Sequence, residues 1–146
     1  MFRFRLAKVL NHRRRIVEDE ARRMQELAAE LNRLLSRRNT YVADIEVAGQ
    51  AAHGSRRGSL DIALEQAAAA FVQGRRRQIE ALDVHVAEQE RVVERQRLVL
   101  VAAQQEVSVL ERLEEKQRAE WDQEQRRREQ KLLDELAGRR SVVLTA

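Results

Sequence analysis

Gly49-Gln50-Ala51-Ala52-His53-Gly54-Ser55-Arg56-Arg57-Gly58-Ser59 is the stretch whose reading decides the fold. It holds three of the chain's five glycines, and the chain has no proline anywhere. Glycine and small polar residues punctuate regular structure, and little else in the interior does so. The stretch therefore divides the 146 residues into a helix over about 4–48, a loop over about 49–59, a helix over about 60–137 and a tail over 138–146. Upstream, Leu10, Val17, Met24, Leu31 and Ile45 recur at intervals of seven or fourteen. Leu27, Leu34, Tyr41 and Ala48 stand three residues after that row, which makes a heptad seam. Arg13, Glu20 and Arg38 occupy seam positions where an apolar residue is expected, natural places for a partner or a register constraint.

Downstream, Ser59 is the expected N-cap, with Asp61 and Ile62 opening the first turn. The second seam runs through Val72, Ile79, Val86, Val93, Leu100 and Val107, with Leu82, Ala103 and Leu110 in the companion row and Gln89 and Gln96 interrupting it. From Glu114 to Lys131 the apolar stripe nearly stops, leaving only Ala119 and Trp121. It returns at Leu132, Leu133 and Leu136, and Gly138 is the expected C′ residue that closes the helix.

Two helical arms on a short loop fold back on each other. The expected fold class is all-α, an elongated antiparallel two-helix coiled-coil hairpin with a C-terminal helix overhang, one unit over 1–146. A loop centred near 53–57 sets the start of the first arm beside roughly 104–110. Beyond that the second helix has no partner within the chain. Glu114 with Arg118, Asp122 with Arg126, and Glu124 with Arg128 are i,i+4 pairs in the favourable order, available to support an unpartnered helix.

Composition and charge narrow the function. The chain is 43% hydrophobic, but only 3% of it is aromatic and 20 residues are Ala, which bury little area, so a wide globular core is not expected. With no cysteine there is no disulfide, thiolate metal site or cysteine nucleophile. Net charge is +4, and the high pI reflects 25 arginines that do not titrate. The charge is polarised: residues 1–15 carry six cations and no acid, and 106–125 carry seven acids against Arg112, Lys116 and Arg118. The antiparallel register sets these stretches side by side. Neither a signal-peptide stretch nor an apolar run of spanning length appears, so the chain is expected to be soluble or peripheral.

Catalytic chemistry finds no constellation. His12, His53 and His85 are scattered, no phosphate-cradling loop follows the glycines, and the acids lie on solvated helix. The chain is expected to be no enzyme and to need no cofactor or metal. The runs Arg13 to Arg15, Arg75 to Arg77 and Arg126 to Arg128 wrap about the helix and have no interleaved aromatics for base stacking, which argues against nucleic acid and for solvation or acidic protein partners.

Phe2-Arg3-Phe4-Arg5-Leu6 followed by Val9-Leu10 resembles the start of the flagellar type III export protein FliJ family. Leu110-Glu111-Arg112-Leu113-Glu114-Glu115-Lys116-Gln117 and Glu129-Gln130-Lys131-Leu132-Leu133-Asp134-Glu135-Leu136-Ala137 resemble its other end. The resemblance covers essentially the whole chain. It implies a non-enzymatic cytoplasmic stalk, peripheral at the cytoplasmic face of the cell membrane, with three kinds of partner: the hexameric export ATPase, the membrane export gate protein and export chaperones. It also implies that the end holding both termini enters the ATPase ring. Carried onto this chain, Phe2, Phe4, Leu6 and Leu10 with Gln130, Lys131, Leu133, Asp134 and Leu136 are the implied ring contacts, and Tyr41 and Phe71 the implied gate contacts. Two alternatives stand beside it: the injectisome counterpart of the same stalk, and a generic homodimeric structural coiled coil.

Overall fold

The computed structural model describes residues 1–55 and 62–145. It contains two helices that pack against each other, α1 (Ala7–Ser55) and α2 (Ile62–Thr145), and no strand among the described residues. The expected all-α hairpin is thus the observed fold. The roles expected of Gly58, Ser59 and Asp61 fall outside the described residues. The chain divides into two compact units, one of Met1–Glu18 with Val101–Ala146 and one of Asp19–Leu100.

In the 19–100 unit, α1 and α2 run antiparallel, as the pairs Glu20 with Gln96, Leu27 with Gln89, Arg38 with Asp83 and Asp44 with Arg75 require. Leu82 and Val86 are buried, and the other seam residues of both rows are half-buried. Gln89 and Gln96, which interrupt the seam in sequence, turn inward with it. Gln96 is only 6% exposed, and its Nε2 donates to the Glu20 carbonyl at 3.1 Å and also to the Glu20 carboxylate. Gln89 Nε2 donates to the Leu27 carbonyl at 3.0 Å. A helix carbonyl keeps a lone pair after accepting its own i+4 N–H, so these amides tie α2 to the α1 backbone without opening it. Each such bond contributes about 1 kcal/mol net, but a slip of the helices would leave a buried amide unpaired at a cost of about 1–3 kcal/mol. The polar seam residues therefore fix register, much as a buried Asn does in other coiled coils.

In the other unit, Phe4, Leu10 and Ala103 form the core. Leu6 is a poor N-cap, and α1 begins instead from a turn in which the Phe4 carbonyl accepts from the Ala7 N–H at 3.2 Å. Burial of Phe4 holds that turn in place. The basic start of α1 does meet the acidic part of α2: Arg13 pairs with Glu106 at 2.7 Å and Arg14 with Glu111 at 3.2 Å. Both pairs are solvated and contribute about 0–1 kcal/mol each, so they select register more than they stabilise.

Three details depart from the sequence expectation. First, α1 runs through Gly49 and Gly54 to Ser55, and α2 passes through Gly138 to Thr145 without a C′ stop. None of the described glycines has a positive φ, and a Cβ at Gly49, Gly54, Gly74 or Gly138 would meet nothing within 4 Å. The ~1 kcal/mol that each Gly costs a helix is outweighed by the good helix formers around it. Replacing Gly49 or Gly138 by Ala is accordingly expected to stabilise the helix by about 0.5–1 kcal/mol, read as a higher thermal midpoint by circular dichroism.

Second, the start of α1 lies further along α2 than 104–110, since Arg14 already meets Glu111 and Phe2 reaches Trp121. α1 continues past Gly49 to Ser55, so the two arms pair in a later register than a loop centred near 53–57 would set. Third, the inward stripe of α2 does not end at Glu114. Glu114, Gln117, Trp121 and Gln125 remain half-buried, and the non-helical segment ahead of α1 reaches this stretch as a strap, with Phe2 on Trp121. Beyond Gln125 every residue of α2 from 126 to 144 is exposed.

Candidate partner-binding surfaces

The residues implied as ring contacts fall into two groups on the unit that carries both termini. The first is the N-terminal strap. The Phe2 ring packs on Trp121 with centroids 6.2 Å apart at a tilt of 55°, and the Arg118 guanidinium lies 5.5 Å from the Phe2 centroid. An aromatic pair of this geometry adds about 0.5–1.5 kcal/mol beyond its area, and a cation over the ring about 0.5–1 kcal/mol. Phe4 and Leu10 are buried against α2, whereas Leu6 is 37% exposed. Trp121 thus has a partner within the chain, contrary to the expectation that it stands alone. Arg118 is used over Phe2, and of the three i,i+4 pairs foreseen on this part of α2, Glu124 with Arg128 is formed, at 3.4 Å.

Because Trp121 is the chain's single tryptophan, the strap can be watched directly. Phe2→Ala is expected to shift Trp121 emission to the red and to increase its quenching by iodide, with the helix content unchanged. An unaltered spectrum would mean that Phe2 does not cover the indole.

The second group lies on α2 beyond the strap. Leu132, Leu133 and Leu136 are 58%, 59% and 51% exposed, and Gln130 donates to the Asp134 carboxylate at 3.0 Å along the same helix. Lys131 is exposed. Leu133 stands twelve residues after Trp121, about 18 Å along the helix, so the structure does not bring the two groups together.

Tyr41 and Phe71, the implied gate contacts, belong to the other unit, and there the structure does join them. The Arg75 guanidinium sits over both rings, 4.6 Å from the Tyr41 centroid and 5.1 Å from the Phe71 centroid. Arg75 Nη1 donates to Gln78 at 2.7 Å, and Asp44 lies 3.1 Å from Nε as a coulombic partner rather than a directed hydrogen bond. Phe71 is 44% exposed and Tyr41 half-buried, so the clasp is partly open to solvent. Sequence reasoning missed Arg75; the signal was available, since Phe71 and Arg75 are four residues apart on one helix face. Beside this cluster in sequence, an open groove of about 630 Å³ has small residues such as Ala48, Gly49, Ala52 and Ala68 on one part of its lining and Glu65, Gln73, Arg76, Arg77 and Glu80 on another.

Electrostatics elsewhere are those of solvated helix. The Glu94 carboxyl is held below the usual carboxylate range by the bidentate hydrogen bonds of Arg97, at 2.7 and 2.9 Å, and the Arg97 guanidinium is raised by the same contact. Among the described residues no group of three or more His, Cys, Asp or Glu is arranged to hold a metal ion. No described helix is long and apolar enough to cross a membrane.

These features define an all-α coiled-coil hairpin whose distinguishing chemistry is an aromatic strap, an arginine clasp and an exposed leucine-bearing helix end. A family model described as flagellar FliJ protein matches residues 1–142, and the chain belongs to that family, a flagellar export-related one. Neither the curated proteins nor the solved structures offer a match to it.

Proposed function

We propose that the chain is a non-enzymatic stalk of the flagellar export apparatus, working at the cytoplasmic face of the cell membrane. In this reading the unit with both termini engages the hexameric export ATPase. The Tyr41, Phe71 and Arg75 cluster of the other unit meets the export gate protein, and the same chain assists the cycling of export chaperones. Membership of the FliJ family supports the setting. The observation that carries the ATPase contact is the run of exposed leucines on α2 at 132, 133 and 136, beyond the last half-buried residue at 125. A helix end that buries its seam nowhere in its own chain has side chains to offer several neighbouring subunits at once. The strap adds Leu6 as a further exposed apolar residue on that unit.

The test is to add the purified chain to the export ATPase of the same organism. ATP hydrolysis or hexamer assembly is expected to rise with added chain and to saturate. Full-length protein that neither binds nor stimulates the ATPase would sink this reading.

A further inference from the structure

The exposed end of α2 has a second property besides its leucines. At 100° per residue, Leu132, Leu136 and Val143 lie within about 40° of one another on the helix surface, with Arg139 about 20° to one side and Arg140 about 40° to the other. Leu132, Leu136 and Val143 are 58%, 51% and 76% exposed. Between 126 and 140 the helix carries six cations, Arg126, Arg127, Arg128, Lys131, Arg139 and Arg140, against Glu129, Asp134 and Glu135. Among the described residues only Arg128 of the six makes an ion pair, with Glu124. Glu129 falls between Leu136 and Arg140 on this wheel and Glu135 about 40° outside Arg139, yet the segment stays net positive. An apolar stripe flanked by arginines in a net positive segment is the pattern of a helix that lies in a lipid interface, where the stripe enters the acyl boundary and the guanidiniums reach the headgroups.

We propose that residues 126–144 dock, in the plane of the surface, on an anionic lipid bilayer. The net positive charge of the segment argues for an anionic surface and against a second copy of the same segment, which would bring like charges together. The segment has no aromatic side chain on which a base could stack, which sets nucleic acid aside. It is also too polar to span, so it lies on the bilayer. The biological setting rests on the membrane-face placement proposed above, but the lipid contact itself needs neither ATPase nor gate. Leu132 and Leu136 belong to both surfaces, so ring and lipid would occupy this face in turn.

The experiment sediments the full-length chain alone with vesicles of phosphatidylglycerol and phosphatidylcholine, and with vesicles of phosphatidylcholine only. Binding is expected to be at least about tenfold stronger to the anionic vesicles and to fall in 0.5 M salt, where screening shortens to a few ångströms. The pairs Leu132→Asp with Val143→Asp, and Arg139→Glu with Arg140→Glu, are tested on the chain alone, so ATPase contact does not enter the reading. Each is expected to weaken vesicle binding at least about tenfold, with helix content unchanged. Equal binding to neutral vesicles, no binding at all, or variants that bind as the parent does would overturn the proposal. So would a dimer that these substitutions dissolve in a chain that ignores vesicles. A chain that fractionates with membranes only when the gate protein is present, and ignores vesicles, would overturn the lipid contact while leaving the membrane-face placement standing.

Discussion

Replacing Leu10 by Ala is expected to lower the stability of the hairpin by about 2–3 kcal/mol. Leu10 is 2% exposed, and with Phe4 and Ala103 it makes up the core of the unit that carries the termini. A leucine this buried in a globular core costs about 2–5 kcal/mol when cut to alanine. The lower part of that range applies here because a two-helix interface can close partly over the lost volume. The effect should appear as a lower midpoint in urea followed at 222 nm, with an earlier loss of the Trp121 signal, since the strap is anchored one turn away. A cost under about 1 kcal/mol would show that α1 is not seated on α2 in this register.

The second large effect concerns the helix end. Leu133→Ser with Leu136→Ser should leave the fold unchanged, because both side chains are more than half exposed in the free chain. Burying the remaining half of each leucine in a partner is worth about 1 kcal/mol, so the pair together should weaken engagement of the ATPase by about 30-fold. The reading is the concentration of chain that half-saturates ATPase stimulation. Half-saturation at the parent's concentration would remove these two residues from the contact.

The seam was legible in the sequence because a seven-residue repeat has one physical solution at helix spacing. Val72, Ile79, Leu82 and Val86 point inward as their intervals require. The pairing of the basic first turns of α1 with Glu106 and Glu111 was legible too, since two opposed charge runs favour one orientation. The length of α1 was not. Gly49 and Gly54 resemble a turn in isolation, but glycine's helix penalty is small, and with the flanking seam residues Ile45 and Ala48 half-buried on α1 the helix continues. Nor was the strap legible: Phe2 and Trp121 are 119 residues apart, and nothing periodic links a short non-helical segment to a polar stretch of helix. The same contact explains why Trp121 is half-buried within a polar stretch of helix. Of the implied site residues, Tyr41 and Phe71 were legible as two of the chain's few aromatics, but the cation that joins them emerges only when α1 and α2 are set in register.

One measurement tests the central claim, that the unit carrying both termini is the one that meets the export ATPase. A photo-crosslinking amino acid is placed at Leu133 in one sample and at Val47 in another, both solvent-exposed positions, and each full-length chain is irradiated with the ATPase and nucleotide. Crosslinks to the ATPase from position 133 and none from position 47 are the predicted result. Crosslinks from position 47 with none from position 133 would contradict it.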